Sequence, residues 1–346
     1  MLDQTTYPVM TEMAGWLPLA FMILMGLAIL AYVILDGYDL GVGMLSAFAK
    51  PDERDLMIAS IGPFWDANET WLVLGVGILL VAFPAAHGVI LGALYLPVAA
   101  MLLGLTMRGV AFDFRSKADE RFKRAWDFAF AAGSALAAVA QGYMLGKLVL
   151  GFQNTALAAV FALGIGLGLA AGYALLGAGW LIMKTDGALQ LRAVVWARRA
   201  LVLTAVGLAA VSLATPLVSE RIFDKWFALE NLLGMWPIPV MTVTLVFIIR
   251  RALLRLPKRL EDQNEYGIWV PFACAAGLFV LAFHGLAYSL FPWLVVDRLT
   301  IWDAASAPES LLVMFVGAVI VIPVIIAYSA IAYRVFHGKA RPLEYY

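Results

Sequence analysis

Ile34–Gly43 reads ILDGYDLGVG and Gly62–Trp71 reads GPFWDANETW, and each sets two acids inside a stretch otherwise apolar enough to cross a bilayer. The acids are Asp36 with Asp39 and Asp66 with Glu69. A carboxylate within a spanning helix costs about 2.5–3.5 kcal/mol on insertion scales, so four in two spans need a reason. The reasons available are a proton or ion route, a bound cation, or a partner charge. Those two stretches mark the chain as an energy-coupling or transport protein.

The rest of the chain agrees with a membrane setting. Of its 346 residues 63% are hydrophobic and only 14% charged, with a formal net charge of zero. Soluble domains are about 25% charged, so the composition is that of a polytopic membrane protein. The opening MLDQTTYPVMTEMAGW has neither the basic start nor the short apolar core of a signal peptide, and the first span is expected to be retained. No basic or low-complexity segment points to nucleic acid. Cys274, in an apolar span, has no second cysteine to pair with and says little about compartment.

A span needs about 20 apolar residues. Nine are expected: Trp16–Leu45, Ile58–Phe83, His87–Val110, Trp126–Leu148, Thr155–Met183, Arg199–Leu217, Met235–Leu256, Ile268–Leu290 and Glu309–Phe336. Together they make residues 1–346 a single all-α transmembrane domain. The fifth is glycine-rich (LGIGLGLAAGYALLGAG), which predicts tilt and close helix contact. In the seventh, Pro237 and Pro239 crowd the start.

Basic residues set the orientation. Lys50, Arg54, Arg115, Lys117, Arg121, Lys123, Arg124, Lys184, Arg192, Arg198, Arg251, Arg255, Lys258 and Arg259 fall in alternate connections, and Arg334, Lys339 and Arg341 follow the last span. The other side holds Lys147, Arg221, Lys225 and Arg298. The N-terminus is therefore expected outside and the C-terminus in the cytoplasm. Asp36 and Asp39 then lie in the cytoplasmic third of the first span, and Asp66 about 9 Å into the second at 1.5 Å per residue. Arg108, near the end of the third span, is expected at a similar depth. Asp36 and Asp39 share a face at i, i+3, as do Asp66 and Glu69. Four acids and one arginine are predicted to converge.

Two readings compete for this cluster. One is a structural ion-pair network in which Arg108 neutralises a carboxylate; Asp39, followed by the helix-loosening Gly41 and Gly43, fits that or a cation contact. The other is proton handling, favoured for Asp66, because one arginine cannot neutralise four acids and a low dielectric favours the protonated form of an unpaired one. Glu69 is a candidate for the group that stays protonated.

Other chemistry finds little support. His284 alone of the three histidines lies inside a span; His87 sits in an outer turn and His337 in the tail, so no bis-histidine haem site is expected. HExxH, CxxC and histidine-rich clusters are all missing, leaving no metal signature. Most tryptophans fall near span ends as an interfacial belt. Trp71 lies deeper, where it lines a cavity or packs on a neighbouring helix.

Four motifs carry a resemblance. DGYDLGVGML at Asp36–Leu45, PFWDANETWL at Pro63–Leu72, RGVAFDFR at Arg108–Arg115 and LTIWDAASAPESL at Leu299–Leu311 resemble subunit II of the cytochrome bd-type quinol oxidases, from the first helix to the ninth. The short outer loops, above all around Val218–Met235, resemble the compact, cyanide-insensitive branch. The resemblance implies a bacterial inner-membrane complex that oxidises quinol and reduces oxygen to water. It implies two four-helix bundles plus one peripheral helix. Two b-type haems and one d-type haem are implied in subunit I, which also holds the quinol-oxidising loop. It also implies that Asp66 opens a cytoplasmic proton path, with Glu69 beside it, that Asp39 and Arg108 form a polar pair, and that Trp71 lies near the oxygen route. Some members of that family hold a structural quinone in subunit II, and a small accessory subunit is a further partner the family allows. The competing function is a proton- or cation-coupled secondary transporter, which buried acids and a glycine-broken first helix would also suit.

Overall fold

The computed structural model describes residues 8–115, 117–218, 220–228 and 234–341. Among these, the chain forms α1 (Met13–Ser46), α2 (Pro51–Ile61), α3 (Trp65–Ala82), α4 (Pro84–Arg115), α5 (Glu120–Val149), α6 (Ala156–Lys184), α7 (Gly187–Val218), α8 (Glu220–Phe227), α9 (Pro237–Glu261), α10 (Val270–Leu290) and α11 (Pro308–Val335). A two-stranded antiparallel hairpin, β1 (Trp293–Val295) with β2 (Leu299–Thr300), precedes α11. Nine of the helices are long and apolar enough to cross a membrane: α1, α3 to α7, and α9 to α11. The all-α, nine-span architecture read from the sequence is thus present. Of the loop around Val218–Met235, residues 219 and 229–233 lie outside the described residues.

Several span boundaries differ from the sequence reading: the sixth span begins at Gly187 and not Arg199, the fourth at Glu120 and not Trp126, and the second begins late. The run from Ile58 is not part of the second span but the end of α2, and the spanning helix starts at Trp65. Pro63 is the cause: lacking an N–H, it cannot bond the carbonyl four residues back, so α2 stops and α3 restarts beyond it. Pro237 has the opposite effect. It sits in the first turn of α9, where an N–H has no intrahelical acceptor, so it opens the helix. α2 itself starts at Pro51, with the Lys50 amide donating to Glu53 Oε2 at 3.0 Å.

Packing sets α1 against α3, α5 and α6, and α4 against α3 and α5. α6 and α9 both pack on α7, and α10 packs on α6 and α9. α11 leans on α1 and α3, with most of its surface open. In a membrane such contacts are not driven by water exclusion, so small residues that let backbones approach carry them. Gly41 of α1 is the tightest case: a Cβ there would lie 1.9 Å from the Tyr173 carbonyl oxygen of α6, and one on Gly177 would lie 2.5 Å from Gly41 C. Gly104 and Gly133 do the same for α4 and α5, at 2.7 and 2.6 Å from each other's carbonyl oxygens. α1 runs unbroken through Gly41 and Gly43, so these glycines serve close approach and do not loosen the helix.

At the basic end, α2, α4 and α5 are tied by ions. Arg115 meets Asp127 and Asp55, each at 2.5 Å, and Arg54 meets Asp127 at 2.8 Å. The segment after α11 docks on the end of α6 through Lys184 Nζ to Phe336 O and Ala340 N to Lys184 O, both 2.7 Å.

The glycine seam predicts a clean contrast. Gly41→Ala forces α1 away from α6 and should destabilise the protein by about 1–3 kcal/mol, the usual cost of overpacking. Gly164→Ala, where an added Cβ meets nothing within 4 Å, should leave the melting temperature unchanged or slightly higher. Thermal unfolding monitored by size-exclusion fluorescence tests both.

Candidate functional site

The acids of the sequence reading meet around one arginine, with one exception. Tyr32, Asp36 and Asp39 lie at i, i+4 and i+7 along one face of α1, all buried. Arg108 reaches them from α4 and is itself 1% exposed. Its Nη1 donates to Asp36 Oδ1 at 2.6 Å, and its Nη2 donates to Glu69 Oε1 on α3. One guanidinium therefore clamps α1 and α3 together. The Trp65 ring lies 5.9 Å from the guanidinium carbon, adding a cation–π contact. Glu69 keeps 28% of its side chain exposed, so the clamp runs from the interior to the open face of the helices.

Asp39 is held differently. Asn68 Nδ2 donates to Asp39 Oδ2 at 2.8 Å, while Asn68 Oδ1 accepts from the Tyr333 hydroxyl of α11 at 3.1 Å. The Tyr333 and Tyr38 hydroxyls are 2.7 Å apart. Beyond Tyr32, Gln141 of α5 donates through Nε2 to the Tyr32 hydroxyl and accepts through Oε1 from the Tyr173 hydroxyl of α6, both at 2.7 Å. Polar groups from six helices thus surround the acids.

Burial normally demands a hydrogen-bond partner for every polar atom. Among the described residues, Asp36 Oδ2, Asp39 Oδ1, Arg108 Nε and Trp71 Nε1 are buried without one. Two of these are carboxyl oxygens, the atoms at which a proton binds.

Asp66 does not join the cluster. Because α3 begins at Trp65, Asp66 falls in its first turn and is exposed in this chain. It stays on the Glu69 face, one turn away. Trp71 packs on Ala28 and Tyr32 of α1, the packing alternative of the two read from the sequence. Sequence reading missed Asn68, Gln141, Tyr32, Tyr38, Tyr173 and Tyr333. Asn68 and Gln141 carry a usable signal, being amides inside apolar helices; the tyrosines do not, since their rings suit any apolar helix.

The histidines occupy separate elements. His284 Nδ1 lies 2.7 Å from Val280 O and His337 Nδ1 2.8 Å from Arg334 O, both exposed, and His87 is half-exposed at the start of α4. Among the described residues, no group of three or more His, Cys, Asp or Glu is placed to hold a metal ion.

Comparison with known proteins adds a lineage. The family model described as cytochrome bd terminal oxidase subunit II matches residues 17–336. Cytochrome bd-I ubiquinol oxidase subunit 2 of Escherichia coli strain K12 is 28% identical over 363 positions, covering 92% of this chain and 93% of that protein. Cytochrome bd ubiquinol oxidase subunit 2 of Bacillus subtilis strain 168 is 28% identical over 349 positions, covering 93% of this chain and 96% of that one. A chain in the structure of bd oxidase from Geobacillus thermodenitrificans shares the fold, with a TM-score of 0.69 at 18% identity, over 93% of this chain and 98% of that chain.

The clamp predicts which acid is coupled to Arg108. Arg108→Ala strands the buried Asp36, a change that costs about 3–5 kcal/mol when one partner of a buried pair is removed. Assembled protein should drop sharply, and Asp36→Asn should recover part of it. Asp39→Asn should recover less, since Asn68 holds that carboxylate. Equal recovery by both in a double-mutant cycle would refute the assignment.

Proposed function

Because the chain belongs to the cytochrome bd terminal oxidase subunit II family, we propose that it supplies a cytoplasmic proton path to a quinol oxidase and supports assembly of its haem-bearing subunit I. Membership makes it a subunit of a terminal quinol oxidase, and its nine candidate spans make it a multi-pass inner-membrane protein. The two b-type haems, the d-type haem and the quinol site belong, on this reading, to subunit I. The exposed, separate positions of His87, His284 and His337 support placing the haems outside this chain. When bound there, the haems supply the electron transfer and oxygen chemistry; this chain's own residues handle protons.

The observation that carries the proposal is the graded burial of a line of acids. Asp66 is exposed in the first turn of α3, Glu69 one turn on is partly buried, and Arg108 links Glu69 to the fully buried Asp36. The mouth of this line is Asp66, and the connections that carry Lys50, Arg54 and Arg115 are those the positive-inside rule assigns to the cytoplasm. Three carboxyl groups, Asp36, Asp39 and Glu69, lie around one guanidinium, which bonds Asp36 and Glu69 while Asn68 holds Asp39. A low dielectric opposes uncompensated charge, so the cluster balances itself by carrying protons. Asp66 collects a proton from water, Glu69 receives it, and Asp36 and Asp39 offer partner-free oxygens further in. Arg108 positions Glu69 and Asp36 and holds the helices in register.

The transporter alternative drew on buried acids and on a glycine-broken first helix. α1 is continuous through Asp36–Gly43, so the second ground falls away.

The proton path is tested on the purified two-subunit enzyme. Asp66→Asn should assemble with normal haem spectra, while quinol-driven oxygen uptake falls by about tenfold or more, because asparagine cannot carry a proton. Asp66→Glu should retain more activity, and the residual rate of Asp66→Asn should follow a different pH profile from the parent. Full turnover of Asp66→Asn at every pH would remove it as an obligatory carrier. Separately, His87→Ala, His284→Ala and His337→Ala should each keep the full haem content. Loss of one haem from any of them, with both subunits present, would place a ligand in this chain.

A further inference from the structure

α9 carries charge where a spanning helix should not. Its inner face, Ile249, Leu253 and Leu256, is buried against the bundle, and Arg198 of α7 donates to the Leu253 carbonyl at 2.7 Å. The opposite face presents Phe247, Arg250, Arg251, Leu254 and Arg255, spaced at i, i+3, i+4, i+7 and i+8, all exposed. These five residues line a groove of about 220 Å³. Arg250, Arg251 and Arg255 make no hydrogen bond or ion pair among the described residues, and the first acid on α9 is Glu261, at its end.

Length sharpens the anomaly. From Pro237 to Ile249 the uncharged part of α9 covers about 20 Å at 1.5 Å per residue, and Met235 and Trp236 extend it to about 23 Å. The hydrocarbon core of a bilayer is about 30 Å thick. Arg250 and Arg251 therefore sit below the ordinary headgroup level unless anionic oxygens come down to meet them. Thr242 and Thr244 spend their hydroxyls on backbone carbonyls of the same helix and offer the arginines nothing.

We infer that this face of α9 is a binding site for one anionic phospholipid, whose phosphodiester sits among Arg250, Arg251 and Arg255 while an acyl chain lies along Phe247 and Leu254. Guanidinium forks match phosphate oxygens in geometry and charge, and basic pockets at the membrane boundary take anionic headgroups. A headgroup bearing its own ammonium brings a fourth cation to a site that already holds three, so phosphatidylglycerol-type lipids fit and zwitterionic ones do not. The occupant draws the headgroup layer inward by the distance α9 is short.

The test uses the intact complex of this chain with its partner subunit, stripped of lipid in detergent and titrated with phosphatidylglycerol. Each arginine near the surface contributes about a fivefold factor, so the R250Q/R251Q/R255Q triple variant should bind this lipid about a hundredfold more weakly. Arg251→Gln alone should lose about fivefold, which keeps the measurement available if the triple variant assembles poorly. A control triple at the exposed positions Lys117, Arg121 and Arg124 should bind like the parent. Phosphatidylcholine and inorganic phosphate at matched concentration should neither bind comparably nor displace the lipid. Parental affinity in the arginine triple, an equal loss in the control triple, or equal binding of phosphatidylcholine would each overturn the site. Inorganic phosphate protecting the parent as well as the lipid does would reduce it to a simple anion site and also overturn the proposal.

Discussion

Arg108 is the interaction on which the centre of this protein depends. Its two terminal nitrogens reach acids on two other helices, so α1, α3 and α4 share one fixed register around a single buried guanidinium. A buried ion pair is a poor source of net stability, because desolvation consumes most of the Coulomb gain. What the clamp supplies is position: one guanidinium bonds acids on two other helices at once. The same guanidinium leaves Asp36 with one oxygen unpartnered and leaves Asp39 to Asn68. Among the described residues, Arg108 is the one cation bonded to these acids, and it meets Asp36 and Glu69 but not Asp39.

That arrangement needs helices packed closely enough to exclude lipid from the polar groups. Gly41 with Tyr173 and Gly177 brings α1 onto α6, and Gly104 with Gly133 brings α4 onto α5. The close approach is what lets Gln141 reach Tyr32 and Tyr173 reach Gln141, while Tyr333 of the outlying α11 bonds Asn68. Polar groups inside a membrane have no water to fall back on, so the hydrogen-bond network and the glycine seams are one construction.

The two charged regions of the bundle contrast in a useful way. The Arg108 cluster is turned inward and its charge is met by protein. The arginines of α9 are turned outward and are met by none of the described side chains. In a low-dielectric setting both require counter-charge, and the side on which a residue faces decides whether protein or membrane provides it.

The sequence by itself determined the class of the protein: nine apolar stretches, their order, and the identity of Asp36, Asp39, Glu69 and Arg108 as costly residues with a purpose. These were legible because bilayer insertion penalises each residue locally, so an acid in an apolar run stands out without any knowledge of its neighbours. Pro63 was also legible as a helix stop, and reading through it joined the end of α2 to the second span. What only the tertiary structure decided is partnership. Arg108 chooses Asp36 and Glu69 while Asn68 takes Asp39, and Gly41 serves contact instead of flexibility. The outward face of α9 is a further case, since three arginines on a helix do not say which way they point. Each of these depends on rotation and distance between helices far apart in the chain, and the physical reason is that lipid-solvated helices are locally determined while their packing is not.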